Sequence, residues 1–521
     1  MNTKPAILIT IAVYIIFISA IGVMNAKKSK SLTEFTVGKR NAGAWLSAFS
    51  YGTAYFSAVM FIGYAGGTGW KYGIWGVLPG IGNAIIGSLL AWLVLARRTR
   101  EVARRLKIKS MPQLFEKRFG SMGMKNFAVA IIFIFLVPYS ASVYKGLTSV
   151  CSVLLGVDET VCMLVIAAAS LLIVVLGGYG ATLKADFVQG FIMLVGVIAL
   201  IFAVMRSDTV GGFSEGISAI AEKTEELGLT PASHLSLWAT VLMTSFGTWG
   251  LPQMIHKYYG IRDDHEVKRG TVISTFFAFI VAGGGYFIGS LSRLFFSDLS
   301  EIPGAGSGKT DFLIPNMLNM AGISDILIGI ILVLLIAASV STLSSITITA
   351  TTTLAMDFIK PRFMKHDDGK KSALVTRILC AVFVAVSYLI ANSDTPILDM
   401  MSYSWGIISG SFLAPYMISL YWKKLNRFGG WAGMLGGFIT GLPPVICKLF
   451  LPDAALPFFG AIKDMGPHFA CAAMAVSFTL CIIVTLATKN KEEINREFYN
   501  ISQGQIKDNS NTENKIKLKV V

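Results

Sequence analysis

"ILIGIILVLLIAASVSTLSSITITATTTLAMD", residues 326–357, changes character at Ala338. Up to that point it is hydrocarbon relieved by one glycine; beyond it, hydroxyl side chains outnumber aliphatic ones. A helix that only had to sit in lipid would gain nothing from them, so their placement is informative. At about 100° per residue, Ala338, Ser341, Thr342 and Ser345 fall on one arc, Ser344 flanks it, and Thr349 and Thr352 continue the stripe. One serine or threonine in a membrane helix needs no function, because it bonds back to the i−4 carbonyl or packs closely against a neighbour. A line of them, with the adjacent pairs Ser341-Thr342 and Ser344-Ser345, predicts a polar seam inside a bundle.

The rest of the chain supplies that bundle. Its 521 residues are 54% hydrophobic and only 14% charged, a balance foreign to a water-soluble globule of this length. The fold class is therefore all-α and integral to the membrane. Apolar runs long enough to cross about 30 Å of hydrocarbon recur throughout. They number about thirteen, at roughly 5–25, 43–68, 73–96, 126–149, 159–179, 186–206, 235–256, 271–295, 323–350, 374–392, 396–421, 429–450 and 468–488. The first is read as a retained helix rather than a signal peptide, since no small-residue cleavage site stands out after it.

A net charge of +15 invites a nucleic-acid reading, which the positions of the charges exclude. Basic residues gather in alternate loops: "RRTREVARRLKIK", "HKYYGIRDDHEVKR", "KPRFMKHDDGKK" and "WKKLNR". This is the positive-inside pattern, and it sets the N-terminus outside and the C-terminus in the cytoplasm. The tail 489–521 is polar and without apolar periodicity.

Enzymatic motifs are lacking. "PGAGSGKT" at 303–310 has Pro303 where a phosphate-binding loop needs its first glycine. The five histidines show no HExxH pairing, the six cysteines no metal-ligand spacing, and no GxSxG elbow occurs. No enzyme and no obligate protein partner are expected.

The seam suits an alkali cation. A bare Na⁺ is a hard ion that wants oxygen ligands in place of its water, and hydroxyls and carbonyls provide them without burying net charge. A helix carbonyl such as that of Ala338 keeps a second lone pair after its own hydrogen bond. The remaining ligands require a neighbouring helix with freed carbonyls, which means a broken one. Two spans qualify: "SYGTAYFSAVMFIGYAGGTG", residues 50–69, and "TSFGTWGLPQMIHK", residues 244–257, the latter with Gly247, Gly250 and Pro252. Corresponding interruptions in two five-helix halves point to inverted repeats around a midplane site. Asp186, near membrane depth, reads either as an interfacial N-cap or as the charge of a second cation site facing the seam. Lys145 reads either as a side chain snorkelling to the outer surface or as a fixed cation for an anionic substrate.

Five segments together resemble the sodium:solute symporter family: "KSMPQLFEKRFGS" at 109–121, "LGGYGATLKADFVQG" at 176–190, "WGLPQMIHKYYGIRD" at 249–263, "LLIAASVSTLSS" at 334–345 and "LAPYMISLYWKKLNRFGGWAGMLGG" at 413–437. The resemblance implies a leucine-transporter-like fold of five plus five inverted helices within a single transmembrane domain, 1–488. One extra helix at 5–25 precedes core helices at 43–421, and two helices at 429–488 follow. It implies a first Na⁺ site at the carbonyls of Thr53, Phe56 and Ala338 and the hydroxyls of Ser341 and Thr342. A second Na⁺ site, present in some relatives, would fall on Asp186, Ser341, Ser344 and Ser345. The chain departs from the family pattern at Tyr55, where relatives carry Asn or Asp, at Leu251 in place of Gln, and at Ala185 in place of Thr.

The expectation is a secondary-active symporter in the cell membrane that imports a small organic solute with Na⁺ by alternating access. Tyr55, Ser57, Met60, Trp75, Tyr144, Lys145, Thr248 and Trp249 are the candidate substrate residues, and Lys145 tilts the solute toward a carboxylate. Proton-coupled uptake through Asp186, a solute sensor and a channel are the alternatives.

Overall fold

The computed structural model of the chain describes residues 5–26, 40–230, 234–303, 310–364, 370–393, 395–451 and 461–488, with 498 and 500. The tail 489–521, apart from 498 and 500, and residues 304–309 of the glycine-rich stretch lie outside the described residues. The described chain is helical throughout, with one isolated bridge pairing Ala42 to Ile261. Eight of its helices are long and apolar enough to cross a membrane.

The hydroxyl helix, Asp325–Thr353, is the innermost of these. Within its most apolar window 83% of residues are buried, against 28% for Lys371–Ala391 and 39% for Thr182–Met205. Ser339, Ser341, Thr342, Ser344, Ser345, Thr347, Thr349 and Thr351 to Thr353 are all buried. None faces lipid, so the seam is internal.

Both interrupted spans break near their glycines and proline. The first is helical over Ala44–Tyr55, turns extended at Phe56 (φ −103°, ψ 117°), and resumes as a wide turn, Val59–Tyr64, leading into Ala65–Tyr72. The second runs Leu235–Phe246, tightens over Gly247–Gly250, extends at Leu251 and restarts with Pro252 at the head of Pro252–Tyr259. Proline suits that first helical position because its missing N–H would have had no partner there.

Two expectations need adjusting. The spans read at 159–179 and 186–206 are apolar segments Glu159–Leu171 and Thr182–Met205 of one helical stretch, Glu159–Met205. The intervening "GATLKA", 180–185, contains glycine but no proline, so nothing in it forbids helical backbone. His256 and Lys257, counted above among loop charges, are buried inside Pro252–Tyr259.

Close crossings of small residues hold the bundle together. A Cβ on Gly69 would lie 2.0 Å from the carbonyl oxygen of Gly289, and one on Gly289 would lie 2.1 Å from that of Ala65. Here backbone rests on backbone, as helices in lipid favour when small residues face each other. Arg118, fully buried in Met111–Phe119, donates from Nη2 to the carbonyls of Leu425 (2.8 Å) and Trp422 (3.3 Å), and from Nε to that of Ser419 (3.4 Å). It thereby caps the C-terminus of the Ile397–Tyr421 helix, whose last carbonyls have no helical donors.

Candidate cation and solute site

The break at Phe56 frees the carbonyls of the preceding turn. The Thr53 carbonyl accepts from the Thr342 hydroxyl at 3.0 Å, and the same hydroxyl lies 3.0 Å from the Ala338 carbonyl. Three oxygens from two helices thus meet beside the break, and Thr53, Ala338 and Thr342 are each 0% exposed. The Ala58 amide adds a long bond to the Ser339 hydroxyl, 3.4 Å, across the same junction. Ser341, one residue before Thr342, sends its hydroxyl to Asp186 Oδ1 at 2.6 Å. A hydroxyl that donates still carries lone pairs for a cation.

Asp186 is 0% exposed and receives three partners besides backbone packing. Ser50 donates to Oδ2, Ser341 to Oδ1, and the Lys257 ammonium lies 3.1 Å from Oδ2. Lys257 Nζ also donates to Ser50 Oγ at 2.8 Å and Ser345 Oγ at 2.9 Å. The Ser344 hydroxyl is buried and has no hydrogen-bond partner among the described residues. The carboxylate therefore sits at the centre of four elements, which come from the first broken helix, the second broken helix, the hydroxyl helix and its own. Its position 0% exposed among packed side chains does not fit an interfacial N-cap.

The candidate solute residues divide into groups. Tyr55 donates to the Thr244 carbonyl at 2.6 Å and stacks on Phe56, with centroids 4.2 Å apart. Ser57 and Met60 are buried just beyond the break. Thr248 donates to the Ser245 carbonyl at 2.9 Å, and Trp249 Nε1 to the Ile86 carbonyl at 3.0 Å. These five lie at or beside the two breaks. Trp75 is 37% exposed. The Tyr144 hydroxyl is 2.9 Å from that of Ser170. Lys145 donates to the carbonyls of Ser393 (2.7 Å) and Thr395 (2.9 Å) and lines a separate cavity of about 160 Å³ with Glu159 and Asp311.

Sequence reasoning missed Ser50 and Lys257. One signal was present: Lys257 lies between Ile255, His256 and the Tyr258-Tyr259 pair, five residues short of the first charged loop residue, Arg262.

The chain belongs to the sodium:solute symporter family, whose sequence model matches residues 35–437. It is similar to the osmoregulated proline transporter OpuE of Bacillus subtilis, 23% identical over 509 residues that cover 96% of this chain and 99% of that one. It is likewise similar to the sodium/pantothenate symporter of Escherichia coli, 25% identical over 83% of this chain and 89% of that one. Among solved structures, a Na⁺-coupled sialic acid symporter in a substrate-bound, outward-open state superposes with a TM-score of 0.74 at 16% identity, covering 93% of this chain and 98% of that one. The family and the eight apolar helices make this a multi-pass membrane protein.

Proposed function

We propose that this chain imports a small organic solute by coupling its entry to the inward flow of Na⁺ through alternating access. The observation that carries this reading is the meeting of the Thr342 hydroxyl with the Thr53 and Ala338 carbonyls at the Phe56 break. Thr53, Phe56, Ala338, Ser341 and Thr342 would hold the ion. The solute would lie between the two broken helices, against Tyr55, Ser57, Met60, Thr248 and Trp249. The architecture proposed is about thirteen spans in a single domain over 1–488, built on five plus five inverted repeats, with the apolar segments Glu159–Leu171 and Thr182–Met205 counted as separate crossings. The N-terminus would lie outside and the tail in the cytoplasm.

An ion at this place does two things. It would satisfy carbonyls that the break deprives of helical donors, and it would strengthen the tie between the broken helix and the hydroxyl helix only while bound. One charge falling through about 100 mV yields about 2.3 kcal/mol, and a tenfold gradient adds about 1.4 kcal/mol. A single ion thus supports roughly 500-fold solute accumulation.

Relatives named for proline and pantothenate, with a structural neighbour named for sialic acid, favour a carboxylate-bearing solute. The test is uptake into proteoliposomes under an imposed Na⁺ gradient, with labelled proline, pantothenate and sialic acid as the first probes and sugars as the next. Accumulation above equilibrium that collapses when choline replaces Na⁺ supports the reading. Uptake that follows a pH gradient and ignores Na⁺ sinks it.

A further inference from the structure

The second cation locus holds a cation already, and that cation belongs to the protein. We propose that Lys257 is a built-in counter-ion standing where a second Na⁺ would sit, so that this chain binds one Na⁺ per cycle. The proposal rests on the Na⁺ reading above and concerns its stoichiometry.

The argument begins with Asp186. A fully buried carboxylate is costly unless a positive charge and hydrogen-bond donors accompany it. The oxygens around it, Ser50, Ser341 and Ser345, are the small hydroxyls a hard cation would use. Two of these, Ser50 and Ser345, receive hydrogen bonds from Lys257 Nζ at 2.8 and 2.9 Å, and Asp186 Oδ2 also faces that nitrogen at 3.1 Å. The ammonium thus engages Ser50, Ser345 and one oxygen of Asp186, with the same unit charge as Na⁺. Lys257 is 4% exposed. The space left beside it is a cavity of about 10 Å³ lined by Thr182, His256, Lys257, Ser345, Ile348 and Thr349, enough for about one water. A further cation there would meet the like charge of the ammonium, with Asp186 already paired.

The tether distinguishes this ion from a free one. Lys257 lies on Pro252–Tyr259, beyond the second break, and Asp186 on Thr182–Met205. The pair therefore joins the second broken helix to the bundle at any Na⁺ concentration, whereas a second Na⁺ would do so only when bound. Coupling one ion keeps the accumulation ceiling at roughly 500-fold, where two ions would square it.

Removing the lysine charge should turn the locus back into an ion site, because the buried carboxylate would then need a counter-charge and Ser344 would add an unpartnered oxygen. Equilibrium binding of ²²Na⁺ to the purified full chain, without solute, reads this directly. The expected stoichiometry is one for the native chain, two for Lys257→Ala, one for Lys257→Arg and one for the double variant Asp186→Asn, Lys257→Ala. The Hill slope for Na⁺ should rise above 1 in Lys257→Ala alone. Should Lys257→Ala not survive purification, Lys257→Gln, which keeps most of the stem's bulk, takes its place, and survival only in Na⁺ and not in choline supports the proposal. Two ions on the native chain overturn it. So does the absence of any gained ion in both uncharged variants, or their loss regardless of Na⁺. A native chain that binds none while Lys257→Ala binds one overturns the first-site reading and leaves the lysine as counter-ion.

Discussion

The Thr342 hydroxyl stands 3.0 Å from the Thr53 carbonyl and thereby joins the hydroxyl helix to the unwound end of the first broken helix. Replacing Thr342 with Val keeps the shape and removes the oxygen. Loss of one ligand of about 1.4 kcal/mol lowers apparent Na⁺ affinity about tenfold. Ser341→Ala is expected to do the same and also to strip one hydrogen bond from Asp186. Na⁺ titration of ²²Na⁺ binding checks both; an unchanged midpoint in both variants would remove the ion from this place.

Gly437 and Gly283 make a matched pair. A Cβ on Gly437 would lie 1.9 Å from the Gly410 carbonyl oxygen, whereas one on Gly283 would meet nothing within 4 Å. Gly437→Ala should force two helices apart at a cost of about 1–3 kcal/mol. Gly283→Ala should be neutral or stabilising by up to about 1 kcal/mol, since alanine is the better helix former. Thermal unfolding in detergent should place Gly437→Ala below the native chain and Gly283→Ala level with it or above.

Arg118 tests the capping role. Lysine keeps the charge but lacks the planar fork that reaches the carbonyls of Ser419, Trp422 and Leu425 together. Arg118→Lys should lower stability by about 2 kcal/mol. If a thermal scan finds it equal to the native chain, those carbonyls do not depend on the guanidinium.

Asp263 lies outside the membrane spans and caps Asp264–Ala278 by accepting from the Glu266 amide at 2.9 Å. That bond, with the neighbouring Arg262 guanidinium, holds its carboxyl below the usual 3.8. A depressed folded pKa gives stability that is fully present above the unfolded value and is lost as pH falls through the folded one. Asp263→Ala should therefore be less stable than the native chain at pH 6, and the difference should shrink as pH falls below the usual carboxylate value of 3.8 and through the lower folded one. A gap that persists unchanged in strong acid would assign the effect to something other than the carboxylate.

Much of this architecture was readable from residue types. The positions of Gly247, Gly250 and Pro252 announced a break, and the 100° spacing of Ser341, Thr342 and Ser345 announced an inward seam; both follow from local chemistry. Lys257 was not readable in the same way. Near a helix end, a lysine in a basic segment counts equally well as a loop charge, and only the packing of Ser50, Asp186 and Ser345 around it fixes its depth. Arg118 posed the same difficulty, since its partners lie some 300 positions along the chain. The stretch from Glu159 to Met205 shows the converse: glycines that looked like a loop are compatible with continuous helix.

Ser341 and Thr342 are consecutive, yet one reaches Asp186 and the other Thr53. A rigid rod cannot withdraw one of two neighbouring fingers and leave the other in place. Any swivel that lifts Thr342 from the Phe56 notch also drags Ser341, and Ser345 one turn on, from the buried ion pair. On the proposed reading, releasing the ion would then strip the Asp186–Lys257 pair of two hydroxyl partners while the pair itself stays joined.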